Sequence, residues 1–235
     1  MEKAMAIKTK KLAVMPQNTR IMAVFLGSVG GCLDVFSHMR FGTLIATQTG
    51  NILLLIADWG EGLTRTVNSI LSLVFFTIGF LLAILFKERA KNAYWRTTGV
   101  LPLALTSFLY PFFPGHEFFW IPFLAASTGA MMLTFTGTKV QDHAYVIMMT
   151  SGNYRKMVTA WFNLLRGKGN HRQTKRRALN YSIVVGSFVA GAVITGILTH
   201  LVGDYAIWCV TLVLLAIMVV YTTLIKAYHL EDSNI

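Results

Sequence analysis

Apolar residues in this chain come in long unbroken runs, without the alternation of a half-buried strand or the narrow stripe of a surface helix. Between charges the runs cover approximately 21-38, 41-58, 67-86, 99-113, 118-138, 144-163, 181-202 and 205-225. Crossing a bilayer core takes roughly 20 apolar residues, so several runs qualify outright and a few are short or polar. The pattern predicts an all-α, polytopic transmembrane helical bundle. It divides into a basic N-terminal segment 1-20, a first transmembrane repeat 21-113, a second transmembrane repeat 118-225 with a basic loop at 164-180, and a tail 226-235.

Composition excludes the main alternatives. Hydrophobic residues make up 54% of the 235 positions and charged residues only 13%, with a mean hydropathy of +0.57. A soluble domain carries about 25% charged residues, so a secreted or cytosolic enzyme is excluded, and so is a disordered chain. The first run follows Lys3, Lys8, Lys10, Lys11 and Arg20 with no small-residue cleavage site after it, and reads as a first span, not a removed signal peptide.

The net charge of +11 has a topological reading. Lysine and arginine gather in the N-terminus, at Lys87, Arg89, Lys91 and Arg96, and at Arg166, Lys168, Arg172, Lys175, Arg176 and Arg177. Positive charge beside a span resists translocation, so all three clusters are expected in the cytoplasm. No nucleic-acid partner is then needed; the expected partners are the lipid bilayer and a small solute, and homo-oligomerisation stays open. Cys32 and Cys209 lie in apolar runs, too isolated for a disulfide framework or a metal cluster. Neither a cofactor nor a metal is expected, and the usual hydrolase, zinc, phosphate-loop and dithiol motifs are missing.

Eight full crossings that start inside would place the Lys87 to Arg96 loop outside, against its charge. If 21-38 with 41-58 make one net crossing, and 118-138 with 144-163 another, six crossings satisfy every loop, with both termini cytoplasmic. A shift of 102 residues supports this, placing Thr49-Gly50-Asn51 on Ser151-Gly152-Asn153, Trp59 on Trp161, Gly27 on Gly129 and Leu44-Ile45-Ala46 on Val146-Ile147-Met148. Three crossings per half then give an inverted repeat, in which interrupted helices at matching positions mark the binding site of many transporters.

The matching segments have the chemistry of a re-entrant loop followed by a half-helix. Hydroxyls of Thr49 and Ser151 suit a helix N-cap, Gly50 and Gly152 permit close backbone approach, and Asn51 and Asn153 offer donors and acceptors. Two helix N-termini aimed at the midplane would attract an anion or a polar carbonyl group. The other reading is that these segments serve close helix packing.

Gly31-Cys32-Leu33-Asp34, Phe41-Gly42-Thr43 and Thr49-Gly50-Asn51-Ile52-Leu53-Leu54-Leu55 resemble the N-terminal signature of the YoaK-like membrane proteins. The likeness extends loosely along the chain through Ser151-Gly152-Asn153 and the basic loop, and departs at Phe36-Ser37-His38, where an apolar run is expected. The resemblance implies a bacterial inner-membrane protein of about this length with no assigned activity. It brings no substrate and no catalytic residue.

Asp34 and His38 lie four apart and share a helix face. A carboxylate at this depth is a functional candidate by default, here for proton coupling or gating, although a structural Asp34–Arg40 pair would also account for it. Lys139 either faces an anion or pairs with Asp142. Ser187, Gly191 and Thr195 form a small-residue face for helix packing. The expected function is a transporter or facilitator for a small polar or anionic solute, held by Gln48, Thr49, Gly50 and Asn51 from one half and Thr150, Ser151, Gly152 and Asn153 from the other. The alternatives are a membrane-embedded enzyme acting on a lipid or quinone through Asp34 and His38, or a non-catalytic partner subunit.

Overall fold

The computed structural model describes residues 15–57, 63–113, 115 and 117–231. These residues form helices α1 (Arg20–Phe41), α2 (Gln48–Ala57), α3 (Leu63–Arg89), α4 (Trp95–Leu109), α5 (Glu117–Thr134), α6 (Ser151–Leu165), α7 (His171–Val202) and α8 (Trp208–Ala227). Strands β1 (Lys139–Val140) and β2 (His143–Ala144) make a small antiparallel hairpin between α5 and α6, an addition to the all-α expectation. Arg20–Phe41, Leu63–Arg89 and the stretch His171–Ala227 are long and apolar enough to cross a membrane.

Local chemistry sets the ends of the long helices. At the start of α1 the Thr19 hydroxyl accepts from Met22 N at 3.3 Å, and Gly42 at φ 67 closes its end. Asn170 caps α7 by accepting from Gln173 N at 3.2 Å. That cap puts Arg172, Lys175, Arg176 and Arg177 inside a helix, so the predicted loop at 164-180 is helical from His171 onward. At 32 residues α7 rises about 48 Å, well beyond a core of roughly 30 Å, which leaves its basic first turns to project into water.

Packing pairs the long helices across the two halves of the chain. Along α1 and α7, Arg20 meets Asn180, Ser28 meets Ser187, and Arg40 meets Asp204 just past the end of α7, so the two run parallel. Likewise α3 and α5 are parallel, with Asn68 bonded to Glu117 at their starts and Gly79 against Ala126 further along. The end of α1 lies beside the start of α3, because Asn68 Nδ2 donates to Phe41 O at 2.9 Å. The α1/α7 pair therefore runs opposite to the α3/α5 pair. Helices α4 and α8 cross antiparallel between the pairs, joined by the Ser107–Thr211 hydroxyl contact at 2.8 Å and by Phe108 stacked on Trp208.

Both parallel pairs approach closely through glycine. A Cβ on Gly31 would strike Phe188 O and one on Gly129 would strike Phe76 O, so no side chain fits at either place. Gly31 and Gly129 are 98 positions apart, not 102. Gly27, the sequence partner of Gly129, packs instead on Ser187. As expected, Ser187, Gly191 and Thr195 turn their small faces into the α1 contact.

Candidate functional site

The segments after α1 and before α6 fold back into the bundle, and each is stapled by its asparagine. Asn51 Oδ1 accepts from Leu44 N at 2.8 Å and from the Thr43 hydroxyl at 2.9 Å, while its Nδ2 donates to Leu44 O at 2.6 Å. Asn153 Oδ1 accepts from Val146 N at 3.0 Å, and its Nδ2 donates to Val146 O at 2.6 Å and Met149 O at 2.8 Å. Each amide binds both backbone groups of the residue seven positions earlier, replacing the partners that an irregular chain in hydrocarbon would otherwise lack. Both asparagines are fully buried.

The first loop is tied further. Ser72 of α3 donates to Leu44 O at 2.8 Å and accepts from Asn51 Nδ2 at 3.0 Å. Gln48 donates to Ile45 O at 2.8 Å and accepts from Asn51 at 2.9 Å. On the α1 side, Asp34 Oδ1 accepts from Ala46 N at 2.7 Å and Thr47 N at 3.2 Å, and Oδ2 accepts from the Thr47 hydroxyl. Asp34 thus takes up backbone N–H groups just before α2, where a helix start has donors to spare. The expected Asp34–Arg40 pair does not form, since Arg40 pairs with Asp204 at 2.9 Å and Asp34 bonds the loop instead.

The second loop lies against the same face of α1. Gly30 has no room for a Cβ because Met148 Cα and O would stand 2.5 Å from it. Met148 is buried with φ 55, a left-handed conformation that costs a non-glycine residue of order 1 kcal/mol and is retained where packing enforces it. Gly30 and Asp34 are one turn apart, about 6 Å along the axis. The two loop tips therefore lie against α1 about one turn apart, near the middle of its span Arg20–Phe41.

The predicted site residues divide by environment. Asn51 and Asn153 are engaged by their own loops, and Gln48 by the first loop. Thr49 and Ser151 are exposed. Neither precedes its helix: Thr47 comes before α2, and Thr150 is the N-cap of α6 without a side-chain cap bond. The Thr150 hydroxyl is buried and finds no partner among the described residues. Gly50 packs under the Leu44 side chain, whereas nothing lies within 4 Å of where a Gly152 Cβ would be. His38 is exposed and lines an outer cavity of about 310 Å³ with Arg40, Arg65, Asn68 and Glu117, away from the Asp34 carboxylate's partners. Asp142 pairs with Arg176 at 3.2 Å, in place of the Lys139 pairing. Trp59 and Asp58 fall outside the described residues, while Trp161 is exposed and donates to Ser182 at 2.9 Å.

Some residues that hold this arrangement carry no signal in the ungapped comparison. Asn68 donates to Phe41 O at the start of α3, and Asn180 donates to Val140 O at 3.3 Å near the start of α7. They stand 112 positions apart, so a comparison that allows an insertion between the second and third helices would find them. Thr47 and Ser72 have no such mark.

These features define a predominantly helical membrane protein with two folded-back, asparagine-stapled loops. The chain belongs to the DUF1275 family, proteins of unknown function, whose pattern matches residues 22–220. It is similar to the UPF0700 transmembrane protein YoaK of Bacillus subtilis (strain 168), with 35% identity over 81 residues. That match covers 34% of this chain and 36% of the relative, so about a third of each is compared. No solved structure matches the chain.

Proposed function

We propose that this protein is a transporter or facilitator for a small polar or anionic solute, built as an inverted repeat with six crossings and two re-entrant elements. The carrying observation is that both asparagine-stapled loops reach one face of α1 a single turn apart. In this reading α1, α2, α3 and α4 correspond to α5, α6, α7 and α8. The exchanged pairs α1/α7 and α3/α5, the opposed directions of α1 and α5, and the matched Asn51 and Asn153 staples support it. The offset grows from 98 to 102 through the β hairpin and to 112 through the longer α6 and the longer start of α7. Both termini and the basic clusters face the cytoplasm of a bacterial inner membrane.

Helices α2 and α6 start at the loop tips, so their free N–H groups and positive dipole ends favour an anion or a carbonyl. The buried Thr150 hydroxyl, lacking a protein partner among the described residues, adds a polar atom at one of these ends. Gln48, Thr49, Gly50 and Asn51 face the solute from one half and Thr150, Ser151, Gly152 and Asn153 from the other, with the two asparagines acting by shaping the loops. Asp34 couples a proton to the first loop: a protonated carboxyl accepts its three bonds less well and loosens Ala46 and Thr47. His38, at the outer mouth, is the gating candidate.

Purified protein in liposomes, offered a panel of organic and inorganic anions with and without a proton gradient, tests this function. Saturable flux of at least one anion, lost with Asp34→Asn, is expected. Protein-free leak rates for the whole panel would overturn it.

A further inference from the structure

A groove of about 400 Å³ runs along the outside of the bundle between α3, α4 and α5, lined by Gly79, Ala83, Phe86, Gly99, Pro102 and Ala130 among others. On α3 the lining residues Gly79, Leu82, Ala83 and Phe86 follow the three-four-seven spacing of one helix face. Just beyond Phe86, Lys87 and Arg89 flank this face on either side, both exposed, and Glu88 falls on the opposite side of the helix. From Gly79 to Arg89 the helix rises about 15 Å, half of a bilayer core of roughly 30 Å. The groove is thus one leaflet long, mostly apolar, with Thr98, Ser127 and Thr134 also in its walls, and positive at its end. Most of α3 faces outward from the bundle, since only 28% of its most apolar window is buried.

We propose that this groove holds one acyl chain of an anionic phospholipid, with the phosphate between Lys87 and Arg89. The small residues Gly79, Ala83, Gly99 and Ala130 provide the width that a chain of methylenes fills, and leave no apolar void between three helices. The paired cations select the headgroup, because basic residues at the membrane surface attract anionic lipid. This site is separate from the loops and does not depend on the transport reading.

Native mass spectrometry of the purified full chain, exchanged into dioleoyl phosphatidylglycerol or dioleoyl phosphatidylcholine, tests the assignment. One phosphatidylglycerol should survive activation at energies that strip phosphatidylcholine, a preference of about tenfold or more. The Lys87→Gln/Arg89→Gln double variant, which alters only exposed side chains, should lose that preference. Ala130→Leu should lower retention of both lipids by filling the groove. Equal retention of the two lipids by the unaltered protein, or an undiminished preference in the double variant, would overturn the proposal.

Discussion

Asp34 receives both the backbone N–H and the hydroxyl of Thr47, which ties the tip of the first folded-back loop to the middle of α1. Thirteen residues separate them in sequence, and Ala46 N joins the same carboxylate at 2.7 Å. Asp34→Asn keeps the volume but replaces one acceptor oxygen with a donor facing other donors. The expected result is loss of solute flux by tenfold or more with a folded, monodisperse protein, and a smaller loss in Thr47→Val, which removes one bond of three. Flux that survives Asp34→Asn unchanged would detach the carboxylate from function.

The staples predict a stability effect. Asn51→Ala strands the N–H of Leu44, whose C=O keeps the Ser72 hydroxyl, and Asn153→Ala strands both the N–H and the C=O of Val146. Leaving a buried backbone group unsatisfied costs roughly 1–3 kcal/mol, so each variant should melt several degrees lower in detergent. Ser72→Ala should fall between these and the unaltered protein, because Asn51 still holds Leu44. A thermal unfolding series ranks the three.

The Arg40–Asp204 pair joins the end of α1 to the turn before α8, with both side chains about a third exposed at 33% and 30%. Exposed pairs are worth about 0–1 kcal/mol. Arg40→Gln should therefore shift the melting temperature little, and less than either asparagine variant does; the same thermal series measures it.

His143 supplies the pH dependence. Burial, and after it the charge of Arg177, push its imidazole below the ordinary histidine value of 6.5. In the folded state His143 then binds fewer protons than in the unfolded state, so stability rises with pH through this window. Its contribution is complete above 6.5 and is lost as pH falls from there toward the lowered value. Melting temperatures recorded from pH 7.5 to 5 should fall more in the unaltered protein than in His143→Gln, and equal slopes would remove His143 as the cause.

The helical membrane character and the places of the two loop elements were legible because hydrocarbon allows only a helix or a fully satisfied loop, and Thr49-Gly50-Asn51 and Ser151-Gly152-Asn153 repeat visibly. Harder to read was what the asparagines bond, since an amide that offers donors and acceptors to a solute offers the same to a backbone. Asn68 and Asn180 stayed hidden behind the extra residues of the hairpin and of α6, which break a constant offset. Arg172 to Arg177 read as loop because charge marks water exposure, not backbone state, and here a helix simply outruns the membrane. Thr47 could not be singled out, because its role depends on a fold-back that joins it to Asp34.

The proposed inverted repeat requires that the two loops enter from opposite sides of the membrane. Single cysteines at Thr49 and Ser151, made after replacing Cys32 and Cys209, can be tested with an impermeant thiol reagent applied to one membrane face at a time. Exposed positions Thr64 and Asn92 serve as outer and inner references. Position 49 should react with the outer reference and position 151 with the inner one. Reaction of both from the same face would contradict the inverted arrangement.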